Sequence, residues 1–304
     1  MRRPNIDFLG NKRWLFAISA VLIVISLGSL AVRGLVFGIE FQGGTVMTFT
    51  ASADISTDDM RGALEAADVP NAANASIQPT DDGGFIVRTA EGDADAANNA
   101  FTVIVNELGL PEQDINVTTI GPGWGKNITE KALYALAASI LAILAYISVR
   151  FEYKMSITAV IALVHDVIIT LGIYSLFGRE FTPNTMAALL TILGYSMYDT
   201  IVVFHRIREN SQRLVKQTFQ HMANESINQV LVRSINTSLT SLIPVICMVT
   251  FGGSTLKDFA FALLIGMISG AYSSIGVASP IYALWKEREP KFQALKKKYE
   301  RNAA

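Results

Sequence analysis

Cysteine and charge are both scarce in this 304-residue chain. Cys247 is its only cysteine and lies inside an apolar run, which excludes a disulfide framework and a thiolate metal cluster. Charged residues make up 17% of the chain and hydrophobic ones 51%, a balance that excludes an ordinary soluble domain. The formal net charge of −1 is uninformative as a sum, because the basic and acidic residues are segregated along the chain, and no nucleic-acid partner is suggested. No metal is expected either. What the chain does contain is long apolar runs separated by basic clusters, the pattern of an integral membrane protein.

A helix needs about 20 apolar residues to cross the hydrocarbon core. Six runs reach that length. Trp14–Val32, Ala132–Val149, Ser234–Leu256 and Phe259–Trp285 carry no charge, while Met155–Gly178 and Phe181–Phe204 carry only His165, Asp166 and Asp199. The first run follows Arg2, Arg3, Lys12 and Arg13 but lacks a small-x-small cleavage site, so it is expected to remain as an anchor. Arg150 and Lys154, then Arg206, Arg208, Arg213 and Lys216, then the basic tail from Lys286 to Arg301 all fall on the side of the N-terminus. That bias predicts cytoplasmic termini. The resulting division is a cytoplasmic N-terminus with the first span (1–33), an extracytoplasmic domain (34–130), spans two to six (131–285) and a basic cytoplasmic tail (286–304).

Between Ile39 and Trp124 stand fourteen acidic residues against Arg61 and Arg88 alone, and no apolar run of spanning length, so a small acidic soluble domain is expected there. Its patterns predict strands at Thr45–Thr50, Ala75–Pro79, Phe85–Thr89 and Ile115–Ile120, and helices at Thr57–Ala67, with Thr57 as N-cap, and Asp93–Leu108. A turn is expected at Asp81–Gly84. The β-α-β-β-α-β order is that of a ferredoxin-like α+β domain. It has no His or Cys and no paired carboxylates, so a binding or lever role is expected rather than catalysis.

An ionisable side chain at mid-membrane costs roughly 2.5–3.5 kcal/mol on insertion scales and calls for a partner, a wet cavity or a use. At about 1.5 Å per residue, Asp166 lies roughly 18 Å along its helix from Lys154, and Asp199 roughly 10 Å from Arg206. Neither reaches water easily. Arg233 opens the fifth span, followed by Thr237, Ser238, Thr240 and Ser241; Arg233, Thr237 and Ser241 recur at i+4 and predict a polar stripe facing other helices. Asp199, next to this arginine and its hydroxyl-lined groove, is the first proton-site candidate, with Asp166 and His165 behind it. The plainer reading makes all four groups polar glue between helices. His165 adjoins Asp166 in sequence and is expected to point to another side of the helix. Gly266 and Gly270 form a G-x-x-x-G pattern expected to serve close packing. Pro244 is expected to kink the fifth span, and Gly194, with Tyr195 and Ser196, to loosen the fourth.

The run Gly194-Tyr195-Ser196-Met197-Tyr198-Asp199-Thr200, continuing to Asn210, resembles the fourth-span signature of the SecF family. Gly38–Thr45, His165-Asp166, Arg233 with Thr237–Ser241, and Asp258–Ser274 are similar to the other blocks of that family, in order. Glu40, Tyr198 and His205 depart from it, standing where Asp, Asn and Asp are common. The resemblance implies half of an RND-like transporter in the cell (plasma or inner) membrane, paired with SecD beside the Sec channel of SecY, SecE and SecG, with other insertion factors possible and a translocating preprotein as cargo. It implies coupling of the proton gradient to late steps of protein export, with no other cofactor and no enzymatic activity. Asp199 and Arg233 match the membrane carboxylate and arginine of the family. Two rivals use similar residues: a proton-driven exporter of small molecules or lipids, and, more remotely, an intramembrane aspartyl protease built on Asp166 and Asp199. The protease lacks a G-x-G-D sequence at either aspartate.

Overall fold

The computed structural model describes residues 5–49, 55–79, 84–90, 92–110, 115–214, 217–252 and 254–303. The turn expected at Asp81–Gly84 lies, apart from Gly84, outside the described residues. The chain divides into two units, one of Phe37–Ala135 and one of Met1–Val36 with Leu136–Ala304. In order the elements are α1 (Lys12–Arg33), β1 (Val36–Phe37), α2 (Ile39–Gln42), β2 (Gly44–Phe49), α3 (Thr57–Ala66), β3 (Ser76–Pro79), β4 (Phe85–Thr89), α4 (Ala94–Leu108), β5 (Ile115–Ile120), α5 (Pro122–Arg150), α6 (Tyr153–Leu176), β6 (Glu180–Phe181), α7 (Pro183–Ser211), α8 (Phe219–Phe251), α9 (Ser254–Ser273), a π-helical turn (Ser274–Ala278), α10 (Ser279–Glu287) and α11 (Pro290–Ala303).

In the smaller unit, β2 pairs antiparallel with both β4 and β5, and β3 pairs with β4, giving the order β3-β4-β2-β5. Side chains alternate across a strand, so Met47 and Phe49 of β2 and Phe85 and Val87 of β4 share the inner face. Met60, Ala63 and Leu64 of α3 and Ala97, Ala100 and Ile104 of α4 complete that core. Each fully buried Leu, Met or Phe among them contributes about 2 kcal/mol of burial. The N-cap of α3 is Ser56, one residue before the expected Thr57. Ser56 accepts from the Asp59 amide while the Asp59 carboxylate accepts from the Ser56 amide, a reciprocal pair open only to residues three apart.

Among the described residues six helices are long and apolar enough to cross a membrane: Lys12–Arg33, Gly123–Arg150, whose first part belongs to the smaller unit, Tyr153–Leu176, Pro183–Ser211, Phe219–Phe251 and the compound sixth, Leu256–Glu287. The third, fourth and sixth are mostly buried; the second and fifth leave most of their surface uncovered. A Cβ on Gly270 would stand 2.8 Å from the Cβ of Ser196, and one on Gly266 would run into the Ile192 side chain, so these two glycines let α9 approach α7. Gly172 plays the same part between α6 and Ser26 of α1.

α7 runs unbroken through Gly194 and α8 through Pro244. The interruption sits in the sixth span, at Ser274–Ala278. Pro280 supplies no amide for the carbonyl four residues earlier, and the Ser279 hydroxyl donates to the Ser274 carbonyl over 2.6 Å. Both favour opening the helix by one residue at this point.

Candidate functional site

Asp166 sits at the crossing of α6, α7 and α9, 1% exposed. Its Oδ1 accepts from Ser269 Oγ at 2.6 Å and lies 3.1 Å from His165 Nδ1; its Oδ2 accepts from Ser196 Oγ at 2.6 Å and from Ser273 Oγ at 2.7 Å. A carboxylate has about four acceptor positions, and all are taken. The expectation that His165 points to another side of the helix from Asp166 is corrected by this contact, since two neighbouring side chains long enough to converge can meet although their Cβ atoms diverge.

Asp199, 3% exposed on α7, is held differently. Among the described residues it accepts one long hydrogen bond, of 3.5 Å from Ser238 Oγ of α8, with the Ser234 hydroxyl as a second, weaker neighbour. Open acceptor positions let it take a proton without losing a partner. No hydrogen bond joins Asp199 to Asp166, so the shared-proton pair that an aspartyl protease needs is not formed among the described residues.

Within this chain the α8 hydroxyls turned toward neighbouring helices are those of Ser234 and Ser238, both buried, while the Arg233–Thr237–Ser241 line occupies the adjoining, less covered face, since each step along a helix rotates the side chain by about 100°. Thr237 is half-buried and donates to the Arg233 carbonyl; Thr240 is exposed and donates to the Asn236 carbonyl; Ser241 is half-buried. Arg233 itself is exposed and makes no ion pair with Asp199. It lines an open groove of about 490 Å³ with Arg150, Ile201, His205, Arg206 and Gln229. Tyr198, at 49% exposure, faces away from Asp199, whereas the Tyr195 hydroxyl is buried with no partner.

Sequence reading placed Ser269 and Ser273 only within the Asp258–Ser274 family block, and so missed both as ligands of the carboxylate. Their i+4 spacing within an apolar run was the available signal. Further along the same helices, Thr200 Oγ1 and Ser274 Oγ lie 2.8 Å apart and continue the polar seam between α7 and the π-helical turn.

At the end of the bundle that carries α11, Lys154 bonds Glu289 over 2.8 Å and Lys286 reaches Glu289 at 3.0 Å and Glu152 at 2.6 Å. Burial pushes the Glu289 carboxyl up, but the hydrogen bonds and charges of Lys154 and Lys286 outweigh it and leave the group below the usual carboxylate range. Asn224 and Asn228 of α8 clamp the segment before α1, accepting from the Phe8, Leu9 and Ile6 amides and donating to the Ile6 carbonyl.

Comparison with known proteins places these residues in a family context. Residues 101–288 match the family model described as protein export membrane protein SecD/SecF, C-terminal, and residues 28–55 match that of the SecD/SecF GG motif. The chain is 39% identical to the protein translocase subunit SecF of Streptomyces coelicolor, covering 96% of this chain and 80% of that one. It is 36% identical to SecF of Petrotoga mobilis, covering 95% and 99%. The crystal structure of SecDF, a translocon-associated membrane protein from Thermus thermophilus, superposes with a TM-score of 0.86 at 35% identity, over 94% of this chain and 39% of that one. This chain therefore spans about two fifths of the SecDF polypeptide.

Proposed function

The chain belongs to the SecF family of protein translocase subunits, and from that premise we propose that its membrane bundle takes up and releases protons at Asp199 to assist protein export. It is a multi-pass membrane protein and an auxiliary component of the Sec translocase, a transport component rather than an enzyme. The observation that carries the proton reading is the contrast between two buried carboxylates. Asp166 is filled by donors, while Asp199 keeps acceptor positions open beside the hydroxyls of α8.

The partner reading rests on two facts. SecD and SecF are joined in one polypeptide in the Thermus thermophilus relative, of which this chain covers 40%. And the uncovered face of α8 carries Arg233, Asn236 and Thr240 at membrane depth, a polar surface that lipid tails cannot satisfy. A second half-bundle, that of SecD, covers it in this reading. Next to SecD stand the channel subunits SecY, SecE and SecG and the translocating preprotein, with other insertion factors as further candidates, and the transmembrane proton gradient serves in place of any cofactor.

The smaller unit is read as a ferredoxin-like extracytoplasmic domain. Its support is the β-α-β-β-α-β order with the strand sequence β3-β4-β2-β5. The termini are cytoplasmic on the positive-inside bias of Arg150, Arg206, Arg208 and the tail lysines.

The direct test of the proton reading is proton movement in vesicles that hold SecD with this chain, followed by an internal pH-sensitive dye. Asp199→Asn abolishes the coupled proton flux if Asp199 is the carrier; flux equal to that of the unaltered protein removes it from that role.

A further inference from the structure

The Asp166 cluster leaves one polar atom unused. His165 is 3% exposed, and its Nε2 is buried with no hydrogen-bond partner. Nδ1 faces a carboxylate oxygen at 3.1 Å, and an ionised carboxylate only accepts, so Nδ1 carries the ring hydrogen. Nε2 of the neutral ring is then a bare lone pair. Asp166 has the opposite condition, with every acceptor position occupied.

Among the described residues, the elements packed on the ring bring no cation to it, and their nearest carboxylate besides Asp166 is Asp199. From α9, the Tyr272 ring lies 6.2 Å from the imidazole, and its hydroxyl is bound to the Leu15 carbonyl at 2.6 Å and lies 3.0 Å from Ser19 Oγ. From α1, the buried polar side chains are Ser19, Ser26 and Ser29, none of them charged. From α7 comes Ser196, with Asp199 about a turn further along. A proton arriving at Nε2 meets one anion already in place, Asp166, on the far side of the same ring.

We propose that His165 Nε2 is a second proton-binding site of the bundle and that Asp166 is its fixed counter-ion. The inference rests on the proton-coupling reading but uses a group other than Asp199. No bond breaks beyond the proton transfer itself: Nε2 gains a hydrogen, the ring gains one positive charge, and Asp166 stays ionised. The mechanical consequence lies at Oδ1, which His165 shares with Ser269 of α9. An imidazolium donates more strongly than a neutral ring, so proton occupancy shifts the competition for Oδ1 and loosens the hold of α6 on α9.

The chain contains three histidines, which makes the site resolvable by ¹⁵N-histidine magnetic-resonance spectra of the full protein with SecD in lipid vesicles. The signal lost in His165→Asn identifies the residue, and asparagine keeps a donor near the Nδ1 position while removing the titrating atom. The expected result is an Nε2 resonance of His165 that converts from unprotonated to protonated as pH falls, with no protonated-carboxyl infrared band that disappears in Asp166→Asn. Gradient-driven export by His165→Asn then loses the pH-dependent step seen in the unaltered protein, although the variant folds. An Nε2 that never changes protonation, or a protonated-carboxyl band assigned to Asp166, overturns the proposal. So does His165→Asn with an unchanged pH profile of export. The titration is read without a gradient, so a silent His165 overturns this site alone and leaves the Asp199 test standing.

Discussion

Ser273 of α9 and Ser196 of α7 donate to the same oxygen, Oδ2 of Asp166, over 2.7 and 2.6 Å. One carboxylate of α6 thereby joins three spans. Asp166→Ala leaves three buried hydroxyls and an imidazole without their acceptor, and the expected loss is on the order of 3 kcal/mol, seen as a lower unfolding temperature in detergent. Asp166→Asn, which keeps one acceptor oxygen, is expected to lose less. Equal stability of Asp166→Ala and the unaltered protein would show that the cluster does not hold the bundle.

The two glycines of α9 differ in what a methyl group would meet. At Gly270 the neighbours are the Cβ and Cα of Ser196, at 2.8 and 3.1 Å; at Gly266 they are Cδ1, Cγ1 and Cγ2 of the β-branched Ile192, all within 2.7 Å. Gly270→Ala and Gly266→Ala are therefore both expected to destabilise, each by about 1–3 kcal/mol from overpacking. Thermal unfolding of the two variants checks this, and unchanged stability of both would contradict the α7–α9 packing.

Glu289 gives a pH prediction with a definite sign. Its folded-state pKa is depressed, so it contributes stability above its unfolded value of about 4.5, and that contribution is lost as pH falls through the folded-state value. The partly exposed position holds the effect to about 1 kcal/mol or less. The stability difference between the unaltered protein and Glu289→Gln should be present at neutral pH and shrink as the solution is acidified below the ordinary carboxylate range. A difference that grows on acidification would reverse the assignment.

Asn224 and Asn228 predict local order at the start of the chain. Replacing both with alanine frees the Ile6, Phe8 and Leu9 amides, and hydrogen exchange at those three positions should accelerate at least tenfold while α6 and α7 remain protected. Unchanged exchange would mean that the segment is held by other contacts.

Much of this architecture is legible in the sequence because it depends on runs and periods. Hydrophobic length locates the six spans, and alternation in Thr45–Phe49 and Phe85–Thr89 locates two sheet strands. Features that depend on a single residue of register are not legible in that way. The α8 hydroxyls buried within this chain are Ser234 and Ser238, beside the expected Arg233–Thr237–Ser241 line, and the cap of α3 is Ser56 rather than Thr57. The break in the sixth span needed the combined effect of Pro280 and a chain of serine hydroxyls, each unremarked in isolation. The serine partners of Asp166 come from residues 30 to 107 positions away, so no local pattern around Asp166 points to them. Asp199 was picked out by its depth, by Arg233 and the hydroxyls of the fifth span, and by its match to the family's carboxylate, while its sparse hydrogen bonding could be seen only in three dimensions.

The central claim is that Asp199 carries the proton that assists export. It is tested most directly by the rate of preprotein release from membranes bearing the unaltered chain or Asp199→Asn, with the proton gradient present and then collapsed. The account predicts that the gradient accelerates release only when Asp199 is intact. Equal gradient dependence in both would contradict it and leave Asp199 a structural group, with the coupling moved to the partner subunit.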